Sequence, residues 1–248
     1  MSRVALVTGG SRGIGAACCL LAAKQGWSVA VNYTSNESAA QQVVDEIKAR
    51  GGNAMAVQAD VGDEAQVLRM FEQVDAKLGR LSALVNNAGV VDIAQRVDQM
   101  SFARLDRMYR INVIGSIVCA REAVLRMSTR HGGKGGVIVN ISSAAARLGS
   151  PGQYVDYAAS KGAIDVFTMG LAKEVALEGI RVNAVRPGLI DTEIHASGGE
   201  PNRARDMAHV LPLHRAGTAQ EVANAILWLM GQESTYTTGS VIDVTGGR

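Results

Sequence analysis

Short apolar runs alternate with longer amphipathic segments along almost the whole chain. The runs have the length and continuous apolar character of strands that are buried on both faces. They lie at Val4–Val7, Ser28–Val31, Ala54–Gln58, Ala83–Asn86, Val137–Ser142, Arg181–Val185 and Val241–Val244. The intervening segments, such as Ser38–Arg50 and Glu64–Leu78, repeat their apolar positions with a helical period. Because parallel strands need helical crossovers, this alternation predicts an α/β fold: a single doubly wound Rossmann-type domain with a seven-stranded parallel sheet and helices on both faces.

Two predicted helices are long, and one stretch between predicted elements is irregular. The helices cover Phe102–Met127 and Val155–Glu178. The first is apolar on more than one stripe, which predicts a second buried face, such as a subunit contact. The stretch Asp191–Gly217 is rich in glycine and proline, and a connection of that length is typical of a lid over a site. Without a linker or repeat, we expect one domain over residues 1–248 with a substrate lid at about 191–217.

Composition narrows the possible classes of function. The 248 residues are 47% hydrophobic, enough for a large core, and the net charge of +2 with scattered Lys and Arg argues against nucleic-acid binding. The three cysteines, Cys18, Cys19 and Cys119, show no disulfide or metal-ligand spacing, so we expect no metal site and a reducing, cytoplasmic location. There is no signal-peptide pattern and no bilayer-length apolar run, so we expect no membrane association.

A glycine-rich segment, Thr8–Gly15, follows the first predicted strand and opens the first predicted helix. Glycines in this setting allow a tight turn, the close approach of N–H groups to a pyrophosphate, and close helix packing at the positive end of the helix dipole. The context favours a dinucleotide site over a ligand-free turn. The predicted contacts from this segment are Gly9, Ser11, Arg12, Gly13, Ile14 and Gly15.

The end of the second predicted strand indicates which dinucleotide binds. An acidic residue here would hold the ribose 2′-hydroxyl of NAD, but Asn32, Tyr33 and Thr34 come first and the nearest acid is Glu37. The missing carboxylate, together with Arg12 in the glycine segment, favours a 2′-phosphate. We therefore predict NADP(H) rather than NAD(H), bound in part by Asn32, Tyr33 and Thr34.

Tyr157 and Lys161 lie four residues apart on the second long helix, so their side chains share one face. A nearby ammonium stabilises tyrosinate, and we expect it to lower the pKa of the phenol from its ordinary value of about 10. Tyr157 would then donate and accept a proton near neutral pH. By itself, the pair is also what an ordinary amphipathic helix can carry.

Taken together, these motifs resemble the short-chain dehydrogenase/reductase family. The resemblance rests on the glycine segment, Asn86-Asn87-Ala88-Gly89, Asn112, Ser142-Ser143, Tyr157 with Lys161, and Pro187-Gly188, in the family's order over essentially the whole chain. Within the family, the sequence is similar to bacterial oxidoreductases likened to glucose 1-dehydrogenases and 3-oxoacyl-carrier-protein reductases.

The resemblance implies a role for each matched catalytic residue. Tyr157 would exchange a proton with the substrate oxygen, and Lys161 would promote the tyrosinate and bond the nicotinamide ribose. Ser143 would hydrogen-bond the substrate oxygen, and Asn112 would help to seat a relay water near Lys161. The spacing from Ser143 to Tyr157 is one residue longer than usual, which an extra residue in the loop Gly149–Asp156 explains; Ser142 is the alternative serine.

The resemblance also implies further cofactor contacts. Asp60 would bond the adenine amino group, and Ile190 with Thr192 would hold the carboxamide. The full implied set beyond the glycine segment and the second strand is Asp60, Val61, Asn86, Ala88, Gly89, Tyr157, Lys161, Pro187, Gly188, Ile190 and Thr192.

The expected function is an NADP(H)-dependent oxidoreductase acting on a small-molecule carbonyl or secondary alcohol. A sugar dehydrogenase and a reductase of carrier-bound 3-oxoacyl groups are alternatives, the latter with a docking patch of Lys173, Arg126, Arg130 and Lys134. A dinucleotide-sensing protein without catalysis is a third. The resemblance implies a homotetramer formed through the two long helices and the segment Thr238–Arg248.

The sequence does not assign a single role to several polar residues near the predicted site. Tyr154 and Asp156 flank the catalytic tyrosine and either contact the substrate or pack the loop. We expect His195, His209 and His214 in the 191–217 segment to be ordinary solvated residues.

Overall fold

The computed structural model describes residues 3–248, apart from the side chain of His195. The strands are β1 (Arg3–Val7), β2 (Trp27–Tyr33), β3 (Ala54–Gln58), β4 (Ala83–Asn86), β5 (Gly136–Ile141), β6 (Ile180–Pro187), β7 (Ile190–Asp191), β8 (Gly217–Thr218) and β9 (Val241–Val244). The α-helices are α1 (Gly13–Lys24), α2 (Glu37–Ala49), α3 (Glu64–Leu78), α4 (Phe102–Tyr109), α5 (Ser116–Met127), α6 (Ala145–Leu148), α7 (Val155–Val175), α8 (Ile194–Ser197), α9 (Arg203–Asp206) and α10 (Ala219–Met230).

The main sheet is seven-stranded with the order β3-β2-β1-β4-β5-β6-β9. All of its strand pairs are parallel, which confirms the predicted doubly wound α/β fold. In the register, Val7 pairs with Val31 on one side and Val85 on the other, so the carboxyl ends of three central strands are level. The strand order reverses between β1 and β4, and open α/β sheets bind ligands outside the strand ends at such a point.

Successive residues of β1 face opposite sides of the sheet and belong to separate apolar cores. Ala5 and Val7 pack with α1, α2 and α10, whereas Val4 and Leu6 pack with α3, α5 and α7. All four strand residues are fully buried. Burial on both faces explains why the strand reads as a continuous apolar run.

The long helix predicted over Phe102–Met127 has a π-helical segment, Arg110–Gly115, between α4 and α5. A Cβ at Gly115 would lie 2.6 Å from the Val61 carbonyl oxygen, so this turn packs directly against the backbone after β3. Short π segments within α-helices are frequent at functional sites. Here the segment carries Asn112, one of the predicted catalytic residues.

The 191–217 segment is more ordered than its composition indicates. Its two ends form the parallel pair β7–β8, in which Ile190 pairs with Gly217. Between them lie α8, α9 and a single 3₁₀ turn, Ala208–Val210. Leu211 and Ala204 form a small apolar cluster with Leu189, which ties the segment to the chain leaving β6. The prediction of an irregular stretch was wrong in this respect.

Within residues 3–248, no helix has the length and apolar character needed to cross a bilayer.

Candidate active site

A crevice lies at the carboxyl ends of β1, β4, β5 and β6, beside the point where the strand order reverses. Its walls come from the glycine segment, the loop after β4, the serines after β5, the first turns of α7, the chain leaving β6 and the 191–217 segment. Among the predicted site residues, it is lined by Ile14, Gly89, Ser143, Tyr157, Lys161, Pro187, Gly188, Ile190 and Thr192.

The glycine segment has the geometry of a phosphate-binding turn. Gly9 and Gly13 adopt left-handed backbone angles, with φ of 61° and 52°, which glycine tolerates best. A Cβ at Gly15 would lie 2.2 Å from the Gly9 carbonyl oxygen, so no larger residue fits there. The first intrahelical bond of this turn runs from Ala16 N to Arg12 O, which leaves the N–H groups of residues 13–15 without helical acceptors. The segment therefore fits the pyrophosphate of a dinucleotide.

Asn32 supports the glycine segment from below. Its Oδ1 accepts a hydrogen bond from Gly9 N at 3.0 Å, and its Nδ2 donates to the carbonyl oxygens of Val57 and Ala59. The side chain is buried, and these bonds commit it to the protein. The predicted cofactor contact from Asn32 was therefore wrong for its side chain, which instead positions the turn.

The 2′ end of the adenosine site would lie where β1 and β2 end side by side. Tyr33 is mostly buried and packs with the apolar core beside α1 and α2. Arg12 and Thr34 are exposed, and within the described chain the Arg12 side chain makes no hydrogen bond or ion pair. Asn36 caps α2 by accepting from Ala39 N at 3.0 Å. The side chains available to bind a 2′-phosphate are therefore the Arg12 guanidinium and the Thr34 hydroxyl. The first acidic residue of the chain, Glu37, comes only after them.

The loop after β3 carries Asp60 and Val61. Asp60 is half-buried, and its Oδ1 accepts a hydrogen bond from Gly62 N at 2.8 Å, which tightens the turn. Val61 is buried. This arrangement places one carboxylate at the end of β3, next to the predicted adenine site.

Asn87, which the sequence analysis did not assign to the site, ties the two central loops together. Its Nδ2 donates to the carbonyl oxygens of Thr8 and Gly9 at 2.9 and 3.0 Å. The Thr8 hydroxyl accepts from the N–H groups of both Asn87 and Ala88. The signal was present in the sequence, because Asn87 lies within the motif that carries the resemblance.

Asn86, in contrast, lies under the crevice. Its Nδ2 donates to Ser116 O and to Asn140 Oδ1, both at 3.0 Å, within a buried polar chain. The Asn140 side chain continues this chain to Thr168 on α7 at 2.9 Å. The Asn86 side chain does not line the crevice and links β4, β5 and α5, so any contact of Asn86 with the cofactor would come from its backbone.

Asn112 joins the π-helical segment to the loop after β4 and to α7. Its Oδ1 accepts from Val90 N at 2.8 Å, and its Nδ2 donates to Val90 O at 2.9 Å and to Ser160 Oγ at 3.2 Å. The side chain is fully buried. A Cβ on Gly89 would lie 3.4 Å from both Asn112 Oδ1 and Lys161 Nζ, so the glycine backbone passes between them.

The two adjacent serines face different partners. The Ser142 hydroxyl is buried and donates to the Lys161 carbonyl oxygen at 3.2 Å. The Ser143 side chain hydrogen-bonds the Tyr157 phenol, and its Oγ also accepts from Ala145 N at 3.1 Å. The structure thus places Ser143, rather than Ser142, against the tyrosine. The intervening loop contains left-handed residues at Gly149, Ser150 and Gly152.

Tyr157 and Lys161 converge as their spacing predicts, but the pKa of the phenol does not fall. Lys161 Nζ lies 5.6 Å from the centre of the Tyr157 ring and donates to Ile141 O at 2.7 Å. Burial raises the pKa of Tyr157 above its usual value, and the hydrogen bond from Ser143 only partly opposes this effect. Burial likewise lowers the pKa of Lys161 to about 8, against a smaller opposing effect of Asp165. The predicted lowering was wrong because desolvation disfavours both charged forms.

The outer end of the crevice is mainly apolar, with two arginines. Leu148, Tyr154 and Ile194 line it, together with Arg203 from α9 and Arg248. Arg203 lies over the Tyr154 ring at 5.4 Å from its centre, and it donates to Gln153 Oε1 at 2.9 Å. It also pairs with Glu200. The sequence alone did not indicate these contacts.

The structure also places the polar residues whose roles the sequence left unassigned. Tyr154 lines the crevice, whereas Asp156 is buried in an ion pair with Arg104. His209 and His214 are exposed and do not line the crevice, and the side chain of His195 lies outside the described residues. Arg126, a member of the predicted carrier-protein patch, pairs with Asp75 and Glu122.

Comparisons with known proteins agree with this geometry. A family model described as enoyl-(acyl carrier protein) reductase matches residues 9–248. The chain is 55% identical over 245 residues to the uncharacterized oxidoreductase YgfF of Escherichia coli (strain K12), covering 99% of each chain. It is 36% identical over 249 residues to the 3-oxoacyl-[acyl-carrier-protein] reductase FabG of Staphylococcus aureus (strain N315), covering 100% of this chain and 98% of the relative.

A solved short-chain dehydrogenase from Burkholderia cenocepacia J2315, in complex with NADP, superposes with a TM-score of 0.89. It is 36% identical, and the match covers 99% of this chain and 97% of that chain. The family match, the relatives and the shared fold support one another. The chain therefore belongs to the short-chain dehydrogenase/reductase family of oxidoreductases.

Proposed function

We propose that the protein is an NADP(H)-dependent oxidoreductase that interconverts the carbonyl and secondary-alcohol forms of a small molecule, with Tyr157 as general acid and base. The observation that carries the proposal is the convergence of Ser143, Tyr157 and Lys161 in one crevice that also contains a fitting phosphate-binding turn. None of these features alone requires catalysis. A buried phenol beside a hydroxyl that already reaches it, however, has a clear use in moving a proton to a substrate oxygen.

The residues divide the work as follows. A bound nicotinamide would supply or accept the hydride, while the protein orients the substrate and handles the proton. Ser143 and Tyr157 would both hydrogen-bond the substrate oxygen, since the Ser143 side chain already reaches the phenol. In the reducing direction Tyr157 gives its proton to that oxygen. Its raised pKa keeps it protonated and ready to donate at neutral pH.

Lys161 would serve the cofactor ribose and the proton supply. Its ammonium is buried on α7 one turn after Tyr157 and is anchored on Ile141 O. With a pKa of about 8, it exchanges protons close to neutral pH. Asn112 holds the Gly89–Val90 loop in place across from it. We assign Asn112 as a positioning residue because its side-chain atoms are committed to Val90 and Ser160.

The preference for NADP(H) is supported by the groups at the ends of β1 and β2. Arg12 is exposed and uncommitted within the described chain, and no acid precedes Glu37. A guanidinium binds a phosphate with paired hydrogen bonds, whereas a carboxylate would repel it. The solved relative in complex with NADP is consistent with this choice.

A homotetramer is also part of the proposal. Apolar side chains are exposed on the two long helices, including Ile114, Ile117 and Leu125 on one and Val166 and Met169 on the other. Exposed apolar residues grouped in this way are typical of protein interfaces. Light scattering should give four times the chain mass of 26.0 kDa, and a monomer would contradict this assembly.

Two alternatives remain testable. A reductase of carrier-bound acyl groups is supported by the similarity to the staphylococcal enzyme. The predicted docking patch is weakened because Arg126 and Arg130 are engaged with Asp75, Glu122 and Glu178. A dinucleotide sensor would bind NADPH without turning over any substrate.

The deciding experiment follows NADPH consumption with sugars, ketones and 3-oxoacyl thioesters, the last both free and carrier-bound. Turnover of free small molecules supports the proposal, and turnover only of carrier-bound thioesters supports the acyl-carrier alternative. Binding of NADPH without consumption of any carbonyl compound would leave the sensor.

A further inference from the structure

Directly before the proposed catalytic tyrosine, a buried carboxylate meets a buried guanidinium. Arg104 on α4 donates from Nε to Asp156 Oδ2 at 2.7 Å and from Nη2 to Asp156 Oδ1 at 3.2 Å. The side chains are 7% and 1% exposed. Such a two-point contact fixes orientation as well as distance. Asp156 lies in the first turn of α7, so the pair fixes the start of the helix that carries Tyr157.

The third nitrogen of the same guanidinium reaches a second segment. Arg104 Nη1 donates to Ile93 O at 2.6 Å and to Gln95 Oε1 at 3.1 Å. Gln95 N in turn donates to Gln153 O at 2.9 Å, in the loop that leads into α7. Arg104 thereby connects α4, the loop after β4 and the first turn of α7. These loops enclose the outer part of the crevice.

Stability alone does not explain the pair. Removing two charges from water costs about as much as their attraction returns, and well-packed apolar replacements are often neutral or stabilising. Both helices also bury apolar side chains, such as Met108 on α4 and Ile164 on α7, which are almost fully buried. The ion pair instead fixes how α4, the loop after β4 and the first turn of α7 are arranged around the Tyr157 phenol.

We propose that Arg104 is a positioning residue for Tyr157: clamped on Asp156 and on the 93–95 loop, it holds the first turn of α7 so that the phenol meets Ser143 and the substrate oxygen. This inference rests on the proposed function of Tyr157. It extends that function to a residue outside the crevice, since Arg104 and Asp156 do not line it.

The test uses three variants of the full chain. Arg104→Lys keeps the charge but loses the paired contact. The double variant Arg104→Met with Asp156→Leu replaces both charges with apolar side chains. Arg126→Lys is the matched control, because Arg126 is also a mostly buried arginine with two acidic partners, Asp75 and Glu122, but lies away from the crevice.

Each variant is measured for kcat and KM on a free carbonyl compound, not bound to a carrier protein, that the wild type reduces, for NADPH affinity, and for its urea midpoint. We expect Arg104→Lys and the double variant to lower kcat by about 10- to 100-fold, because small misplacements of a catalytic group have effects of that size. NADPH affinity should change less than about twofold, since the glycine segment is independent of the pair. Arg126→Lys should lower the urea midpoint with kcat within about twofold of wild type.

The double variant separates positioning from simple support. If the pair only stabilises the fold, kcat should recover whenever the urea midpoint recovers, and such recovery in the double variant would overturn the proposal. Continued loss of kcat at a restored midpoint supports it. If the double variant does not fold, Arg104→Lys is compared with Arg126→Lys instead. A loss of kcat in Arg104→Lys alone, at a similar urea midpoint, supports the proposal, and equal kcat in the two variants overturns it.

Hydrogen exchange provides a readout that does not depend on turnover. Peptides covering residues 93–95 and 155–160 should exchange faster in Arg104→Lys than in wild type and unchanged in Arg126→Lys; equal exchange in all three would overturn the proposal. A wild type that reduces no carbonyl compound overturns the proposed function itself, and with it any catalytic purpose of the clamp. The two failures are therefore distinguishable.

Discussion

The two halves of the crevice are held in place by different parts of the chain. On the side of the glycine segment, the shape is set by the backbone: left-handed glycines, free N–H groups at the start of α1, and the buried amides of Asn32 and Asn87 that bond the turn. On the side of the 191–217 segment, the shape is set by long side chains. Arg203 of that segment contacts the loop before α7, and Arg104 joins the 93–95 loop to the first turn of α7.

This difference suits the two parts to different ligands: the backbone-built side to the phosphates of a cofactor, and the side built from side chains to a particular substrate. A backbone site recognises a phosphate whatever the neighbouring side chains are, so its affinity is spread over many small contacts. A site built from side chains changes with each substitution and can be matched to one substrate. Single substitutions should therefore have large effects on chemistry at the second half and modest effects on cofactor binding at the first.

The largest effect should come from Tyr157→Phe. Loss of the proton donor should reduce kcat by about 10²- to 10⁴-fold, the usual range for general acid catalysis. NADPH affinity should remain within a few-fold of wild type, because the glycine segment is untouched. Stopped-flow turnover and fluorescence titration would measure the two quantities. Retention of wild-type kcat would remove Tyr157 from the mechanism.

Next in size is the contrast between the two serines. Ser143→Ala removes a hydrogen-bond donor from the tyrosine and the substrate oxygen, and we expect kcat to fall by about 10²- to 10³-fold. Ser142→Ala removes a bond to the Lys161 carbonyl and should cost about 1 kcal/mol of stability with little change in kcat. Urea unfolding and initial rates on both variants check this pattern. The opposite pattern would mean that Ser142 is the catalytic serine.

Because its pKa differs between the folded and unfolded chain, Lys161 should make the free energy of unfolding depend on pH. Its pKa is about 8 in the folded chain against an ordinary value of 10.5, so between these pH values the unfolded chain holds a proton that the folded chain has lost. Stability from this group therefore rises with pH across that window, by on the order of 3 kcal/mol in total. Lys161→Met lacks the effect. The free energy of unfolding of wild type relative to the variant should increase from pH 8 to pH 10.5; a constant difference would contradict the buried ammonium.

The smallest effect should come from Arg12→Ala, on the backbone-built side. We expect the KM for NADPH to rise about tenfold, the size of one charged hydrogen bond, while the KM for NADH stays within about twofold. Steady-state kinetics with both cofactors measure the change. Equal changes for the two cofactors would show that Arg12 does not contact the 2′-phosphate.

The sequence was sufficient for the fold because buried parallel strands such as β1 and β4 are short continuous apolar runs. It also placed Tyr157 beside Lys161, since helical spacing fixes which side chains share a face. It did not show which way the Asn32 and Asn86 side chains point, because a motif gives the order of residues but not the direction of a side chain. Both amides turn away from the crevice to satisfy buried backbone groups.

The other differences have similar physical causes. The direction of the Tyr157 pKa depends on burial, which spacing does not reveal. The sequence did not indicate the π-helical segment Arg110–Gly115, because its apolar positions still follow an approximately α-helical period. The Arg104–Asp156 pair joins residues far apart in the sequence, and scattered charges gave no reason to connect them.

Transfer of deuterium from NADPH labelled at C4 of the nicotinamide tests the central claim most directly. With a carbonyl compound from the panel, wild-type protein should yield an alcohol with deuterium on the former carbonyl carbon, and Tyr157→Phe should yield almost none. Cofactor binding by both proteins without labelled product from either would contradict the assignment of this crevice as an oxidoreductase site.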